Sequence, residues 1–268
     1  MPRTLRQKRK DKDRQGLYVF GAVIAAALLL VGLYFVAASN RIATDPNTLC
    51  PETGSYPHTI VLVDKTDAFT ASQRRLLGTV IRDVGAELKQ FEKLSIFVLD
   101  DQNFRAPTPS FALCNPGDGS EANQLYENPR KIQAKFEATF GEPLDRAIEA
   151  LAMAETAPRS PIMEMIEEVA IREDMAGAAR PQRLILFSDM LQHMPSDYSQ
   201  FQDPVDFEWF EASPYAASVK TNLGGASVEI VYLLHEDYVK RQTRRHIIFW
   251  ERYIRWISGD LQEVRPVR

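Results

Sequence analysis

Two hydrophobic patterns alternate along the chain. The first is a short, unbroken apolar run that ends on a polar residue. Ile60-Val61-Leu62-Val63 runs into Asp64, Leu94–Leu99 (LSIFVL) into Asp100-Asp101, and Arg183–Ser188 (RLILFS) into Asp189; Val228–Leu234 (VEIVYLL) is the fourth such run. Runs of about four to eight residues, rich in β-branched side chains, read as strands buried on both faces. The second pattern has the helical period. Leu76, Leu77, Val80, Ile81, Val84, Leu88 and Phe91 share one face of a helix over 71–91, with Thr70 or Ser72 as its cap. Ile162, Met165, Ile166, Val169 and Ala170 do the same from Pro161 to about residue 176, with Ser160 in the N-cap position and Pro161 at the first helical position.

Weaker signals fill the intervals. Helices are expected over 129–140, 144–154, 207–220 and 246–258, with Gly141-Glu142-Pro143 resetting the chain between the first two. Phe111–Cys114 reads as a short edge strand. Strands alternating with helices predict an α/β domain: a mostly parallel central sheet with helices on both faces.

A third pattern precedes these. Residues 17–38, LYVFGAVIAAALLLVGLYFVAA, form a 22-residue run without a charge. As a helix this run is long enough to cross a hydrocarbon core of about 30 Å. It predicts a single-pass transmembrane helix; a cleaved signal peptide is the other reading, kept open by Ala37-Ala38-Ser39. Residues 1–15 hold seven Lys/Arg against two Asp, a net of +5, which leaves −9 of the chain's −4 for the rest. The positive-inside rule then keeps the N-terminus in the cytoplasm and exports the remainder, with a bacterial inner membrane and a periplasmic domain as the expected setting. The expected organisation is a basic segment (1–16), the transmembrane helix (17–38), a linker (39–57), one α/β domain (58–259) and a C-terminal tail (260–268).

Composition narrows the function. With 45% hydrophobic and 25% charged residues the chain is globular rather than disordered. The acidic balance of the main domain argues against nucleic acid as a partner. The two cysteines, Cys50 and Cys114, fall on the exported side, where they form a disulfide or stay as two thiols. Neither has a C-x-x-C spacing, which argues against a cysteine zinc site. The four histidines, His58, His193, His235 and His246, are scattered, with no H-E-x-x-H pair; His193 and His235 follow core strands. There is no G-x-S-x-G elbow, phosphate loop or dinucleotide-binding glycine motif. The basic run Lys240–Arg245 reads as a solvated face, and the aromatic residues between 198 and 215 as satellite core.

Candidate chemistry gathers at strand ends, because ligands of open α/β sheets lie outside the carboxyl ends of the strands. Asp64 and Asp189 stand there, Thr66 is two residues past Asp64, and Ser160 lies in a loop before the helix leading to Asp189. Each also has a purely structural role: an Asx turn for Asp64, an N-cap for Ser160, a polar strand end for Asp189.

In this element order the chain resembles the von Willebrand factor A domain from about residue 57 to 259. That family builds a metal-ion-dependent adhesion site from D-x-S-x-S, a later Thr or Ser, and an Asp after a central strand. Asp64-Lys65-Thr66-Asp67-Ala68 matches the first motif at Asp64 and Thr66 and departs from it at Ala68. Arg159-Ser160-Pro161-Ile162 is similar to the later hydroxyl loop, with Gly141-Glu142-Pro143-Leu144 as a competitor, and Phe187-Ser188-Asp189 is similar to the last motif. The resemblance implies Mg²⁺ held by Asp64, Thr66, Ser160 and Asp189, and an unidentified protein partner. The alternatives are a metal-dependent hydrolase using the two acids, and a structural domain whose metal site has decayed.

Overall fold

The computed structural model describes residues 16, 18–32, 42–99, 104–120, 128–151, 153, 157–171 and 182–268. The chain divides into two compact units, 1–43 and 44–268. In the first unit the described residues 18–32 are helical (α1) and exposed. The other residues of the expected 17–38 span, and the basic segment up to residue 15, lie outside the described residues. Among the described residues no helix is long and apolar enough to cross a membrane.

The second unit is the α/β domain. Strands β1 (His58–Asp64), β2 (Lys93–Leu99), β3 (Phe111–Cys114), β4 (Arg183–Ser188), β7 (Ser227–Leu233) and β8 (Asp260–Val267) form one sheet in the order β3-β2-β1-β4-β7-β8. Only β3 runs antiparallel to its neighbour. A separate ribbon pairs β5 (His193–Met194) with β6 (Tyr198–Ser199). Helices α2 (Ala71–Glu87), α3 (Pro129–Phe136), α4 (Glu142–Leu151), α5 (Ile162–Ile171), α6 (Phe207–Glu211), α7 (Pro214–Ser218) and α8 (Arg244–Trp256) complete it. The expected continuations of helices to 154 and 176 lie largely outside the described residues.

The unbroken apolar runs are explained by two cores. Val61 and Val63 point to one face, against Leu77, Ile81 and Val84 of α2 and Leu144, Ile148 and Leu151 of α4. Ile60 and Leu62 point to the other, against Ile166 and Val169 of α5, Phe210 of α6 and Phe249, Trp250 and Tyr253 of α8. Successive strand residues alternate faces, so a strand covered twice must be apolar at every position.

Several elements differ from the sequence reading. The chain is not reset at Gly141: α3 runs through a π turn (Glu137–Gly141) straight into α4. Pro143 lacks an N–H and its ring crowds the carbonyl one turn back; the wider π turn absorbs both. The expected helix over 207–220 is two short ones, because Ser213 caps a new start (Oγ accepts from Ala216 N–H, 3.3 Å) with Pro214 at its first position. Residues 260–267, read as tail, form β8. The register jumps there, Val228 facing Leu261 and Glu229 facing Glu263, so Gln262 is an extra residue that breaks the alternation. The segment 44–50, read as linker, belongs to the domain: Cys114 N–H donates to Thr48 O (2.8 Å), and Cys50 and Cys114 form a disulfide-capable pair with Cα atoms 4.9 Å apart.

The topology sets where a ligand crevice must lie. From β1 the chain crosses to β2 on one side of the sheet; from β4 it proceeds to β7 on the other. The carboxyl ends of β1 and β4 therefore flank the topological switch point, where the following loops diverge and leave an opening.

Candidate site at the sheet switch point

Asp64 is the last residue of β1 and is buried. Its Oδ1 accepts the Thr66 backbone N–H (3.0 Å) and the Thr66 hydroxyl (2.7 Å), an Asx turn closed twice. Its Oδ2 accepts hydroxyls from Ser188 (2.7 Å) and Ser160 (3.2 Å). Ser188 arrives by register: Val63 faces Phe187, which puts the next residue of β4 level with Asp64. Ser160 arrives because its backbone pairs with His193 in both directions (2.9 and 3.0 Å). Its hydroxyl is thus turned to Asp64, and α5 starts two residues later, at Ile162.

Three of the four sequence-predicted residues, Asp64, Thr66 and Ser160, are in direct contact. The fourth, Asp189, follows β4 and is buried beside them; its Oδ1 accepts Leu191 N–H (2.8 Å). Burial holds the Asp189 carboxyl well above the usual carboxylate range, and the nearby charges of Asp64 and Asp67 add to this. The competing segment Gly141–Leu144 sits within the continuous helix, where exposed Glu142 reaches Arg146 at 3.7 Å.

Sequence reasoning missed three residues. Ser188 had a signal, a hydroxyl at the end of a buried run. Asp67 lies in the first motif but at a position without a family role, and His235 was marked only by following a core strand. The donor atoms of Asp67, Asp189 and His235 lie within 4.8 Å of one another, and the group could hold a metal ion. Burial also raises the Asp67 carboxyl, with the His235 charge opposing that rise. Around this group stands a chain of rings: His193 to Phe201 (5.1 Å between centroids), Phe201 to Tyr238 (5.2 Å) and Tyr238 to His235 (5.7 Å).

The loop carrying Asp189 is held from behind. Met190 has φ +61°, a left-handed conformation that costs a non-glycine residue roughly 1 kcal/mol or more. Its N–H donates to Ser188 Oγ (2.7 Å). Its carbonyl faces Trp250 Nε1 (2.7 Å) and His246 Nε2 (3.0 Å), both on α8. Tyr232 OH lies 2.6 Å from His246 Nδ1, which fits a neutral ring with its proton on Nε2. Burial pushes the His246 imidazole down to about 4, opposed by its bond to the Met190 carbonyl.

That depression makes a pH prediction. The unfolded chain takes up this proton near the ordinary 6.5, the folded chain only near 4. The unfolded state therefore binds more protons in that window, and stability rises with pH across it, so it is lost as the pH is lowered. His246 contributes fully above about pH 6.5 and loses about 3 kcal/mol by pH 4. Urea midpoints measured from pH 7.5 to 4 should show a steeper decline for the parent chain than for His246→Gln. Parallel declines would show that His246 does not carry it.

No protein-family model and no curated protein matches this chain. The six-stranded, mostly parallel sheet with its helices is compatible with a von Willebrand factor A-like fold.

Proposed function

We propose that the chain is a membrane-anchored protein-binding module whose partner docks at the carboxyl edge of the sheet, with a divalent cation in the contact. One observation carries this reading: buried Asp64, which accepts the hydroxyls of Thr66, Ser160 and Ser188, lies beside buried Asp189 at the switch point between β1 and β4. Two carboxylates in one crevice repel each other, and a cation relieves that repulsion.

The donor set suits Mg²⁺, which takes oxygen ligands and keeps several waters. Asp189 offers a carboxylate oxygen that accepts no hydrogen bond among the described residues. Asp64 already accepts four, so it would hold the ion through water or by releasing a hydroxyl. Ala68 supplies no ligand, and water takes that place. A partner's carboxylate would complete the shell, and the rings of Phe201 and Tyr238 offer it apolar contact. The 17–38 run anchors the module, with residues 1–16 in the cytoplasm and the domain on the far side of a bacterial inner membrane.

The experiment is photo-crosslinking in intact membranes from a probe placed at Tyr238, with Mg²⁺ or EDTA. One dominant adduct is expected with Mg²⁺, lost with EDTA and in Asp189→Asn. An adduct of equal yield in all three would sink the cation-dependent contact. In the purified full chain in detergent, Mg²⁺ at 100 times its Kd should add about 2.7 kcal/mol to stability. The same addition to Asp189→Asn should add nothing measurable.

A further inference from the structure

The side chains past β1, β4 and β7 form a donor group of different chemistry from the oxygen cluster around Asp64. We infer that Asp67, Asp189 and His235 form a binding site for a first-row transition-metal ion, with Zn²⁺ and Mn²⁺ as the fitting members. The inference rests on the reading of the crevice as a cation site and names the class of ion it takes.

Topology brings the three together. β1, β4 and β7 are adjacent and parallel, and each delivers one donor just beyond its carboxyl end: Asp67 three residues after β1, Asp189 directly after β4, His235 two residues after β7. Their ligand atoms already lie within 4.8 Å of one another. A tetrahedral ion about 2.1 Å from each donor would set them about 3.4 Å apart. Side-chain rotation of Asp67 and His235, which sit on loops and are half-buried, can supply that contraction.

The hydrogen bonds point the same way. Both oxygens of Asp64 are taken, by four donors. Among the described residues, by contrast, neither the Asp67 carboxylate nor the His235 ring makes a hydrogen bond. Asp189 is 5% exposed, yet its carboxylate accepts only Leu191 N–H, leaving Oδ2 free. The Asp189 side chain is thus buried with one oxygen open to a ligand, and the half-buried Asp67 and His235 bring their donor atoms within 4.8 Å of it.

The spacing between two of the ligands is fixed. Gln242 is buried; its Oε1 accepts His235 N–H (2.8 Å), and its Nε2 donates to the Asp189 carbonyl (3.2 Å) and to Leu233 O. One side chain thereby pins the loops that carry Asp189 and His235 to each other. Groups that orient ligands in this way are a regular part of metal sites. The imidazole decides the ion. Mg²⁺ prefers oxygen alone, whereas imidazole with carboxylates suits Zn²⁺, Mn²⁺ and their neighbours. Three protein ligands also leave coordination positions open for water or an incoming carboxylate.

The test is calorimetric titration of the full chain in detergent with Zn²⁺, Mn²⁺ and Mg²⁺ separately. One Zn²⁺ per chain is expected, bound about 100-fold or more tightly than Mg²⁺. His235→Gln should weaken Zn²⁺ by about 100-fold or more and so erase its advantage over Mg²⁺. Asp67→Asn serves as a second variant, and circular dichroism checks that both fold. Co²⁺ added to the parent chain should give visible absorption bands that Zn²⁺ abolishes and that His235→Gln lacks. If Mg²⁺ binds as tightly as Zn²⁺, or if both variants keep the parent affinity for Zn²⁺, the inference falls and the crevice reading stands. If no divalent ion binds the parent chain, both fall.

Discussion

Asp64→Ala is expected to destabilise the domain by roughly 4–5 kcal/mol, the largest effect of any substitution at the sheet edge. The carboxylate accepts one backbone N–H and three hydroxyls, all in buried surroundings. Bonds to an ionised acceptor contribute about 1.5–3 kcal/mol each, and donors left unpaired in the interior keep their full desolvation cost. Relief of the repulsion with Asp189 offsets part of the loss. Rotation of the freed hydroxyls toward other acceptors offsets more, which brings four such bonds down to the stated figure. Asp64→Asn should be far milder, about 1 kcal/mol, because one oxygen still accepts and the serine hydroxyls can reverse to accept from the amide. Chemical denaturation of the parent and both variants checks this. A loss under about 1 kcal/mol for Asp64→Ala would mean that the cluster is not an energetic centre of the fold.

The second large effect concerns the strap at the opposite edge of the sheet. Replacing Cys50 and Cys114 by Ser is expected to cost up to roughly 4 kcal/mol, the chain-entropy value for a closed loop of this size. The cysteines are 64 residues apart, and the loop between them contains β1, α2 and β2, the first βαβ unit. Opening it frees the unfolded chain more than it alters the folded one. The native strap keeps its bond from Cys114 N–H to Thr48 O, so the folded structure should survive at moderate temperature. Reduction of the parent chain should reproduce the double-Ser stability, and mobility on a non-reducing gel should change with it. Unchanged stability on reduction would show that the pair does not close this loop. Recovery of both residues as thiols from cells would count against the exported topology, since an oxidising compartment closes such a pair.

The buried half of the fold was legible in the sequence because burial on two faces leaves one composition available. Ile60–Val63 and Leu184–Phe187 are apolar at every position, and both are central strands. Elements whose pattern is interrupted were not legible. β8 shows only Leu261, Val264 and Val267 against solvent-facing neighbours, and the extra residue Gln262 erases the period of two. The π turn before Pro143 disguised one continuous helix as two. The site divides in the same way. Asp64 and Thr66 are local and could be read from two positions of spacing. Ser160 was found, but its side chain serves Asp64 across 96 residues rather than its own helix. Asp67 and His235 depend on β1, β4 and β7 being neighbours, which the order of strands in sequence does not state.

The place of β8 in the sheet bears on how the chain should be cut and tagged. β7 is now flanked on both sides, and its residues Val228, Ile230, Val231, Tyr232 and Leu233 are buried. A truncation at Gly259 would leave the backbone donors and acceptors along one side of β7 unpaired beside a largely apolar strand. Such an edge recruits strands from other molecules. The same cut would loosen the stretch leading to His235, since Leu234 N–H donates to Val267 O (2.7 Å). A shortened chain would thus fail by self-association while Asp67, Asp189 and His235 all remained in the sequence.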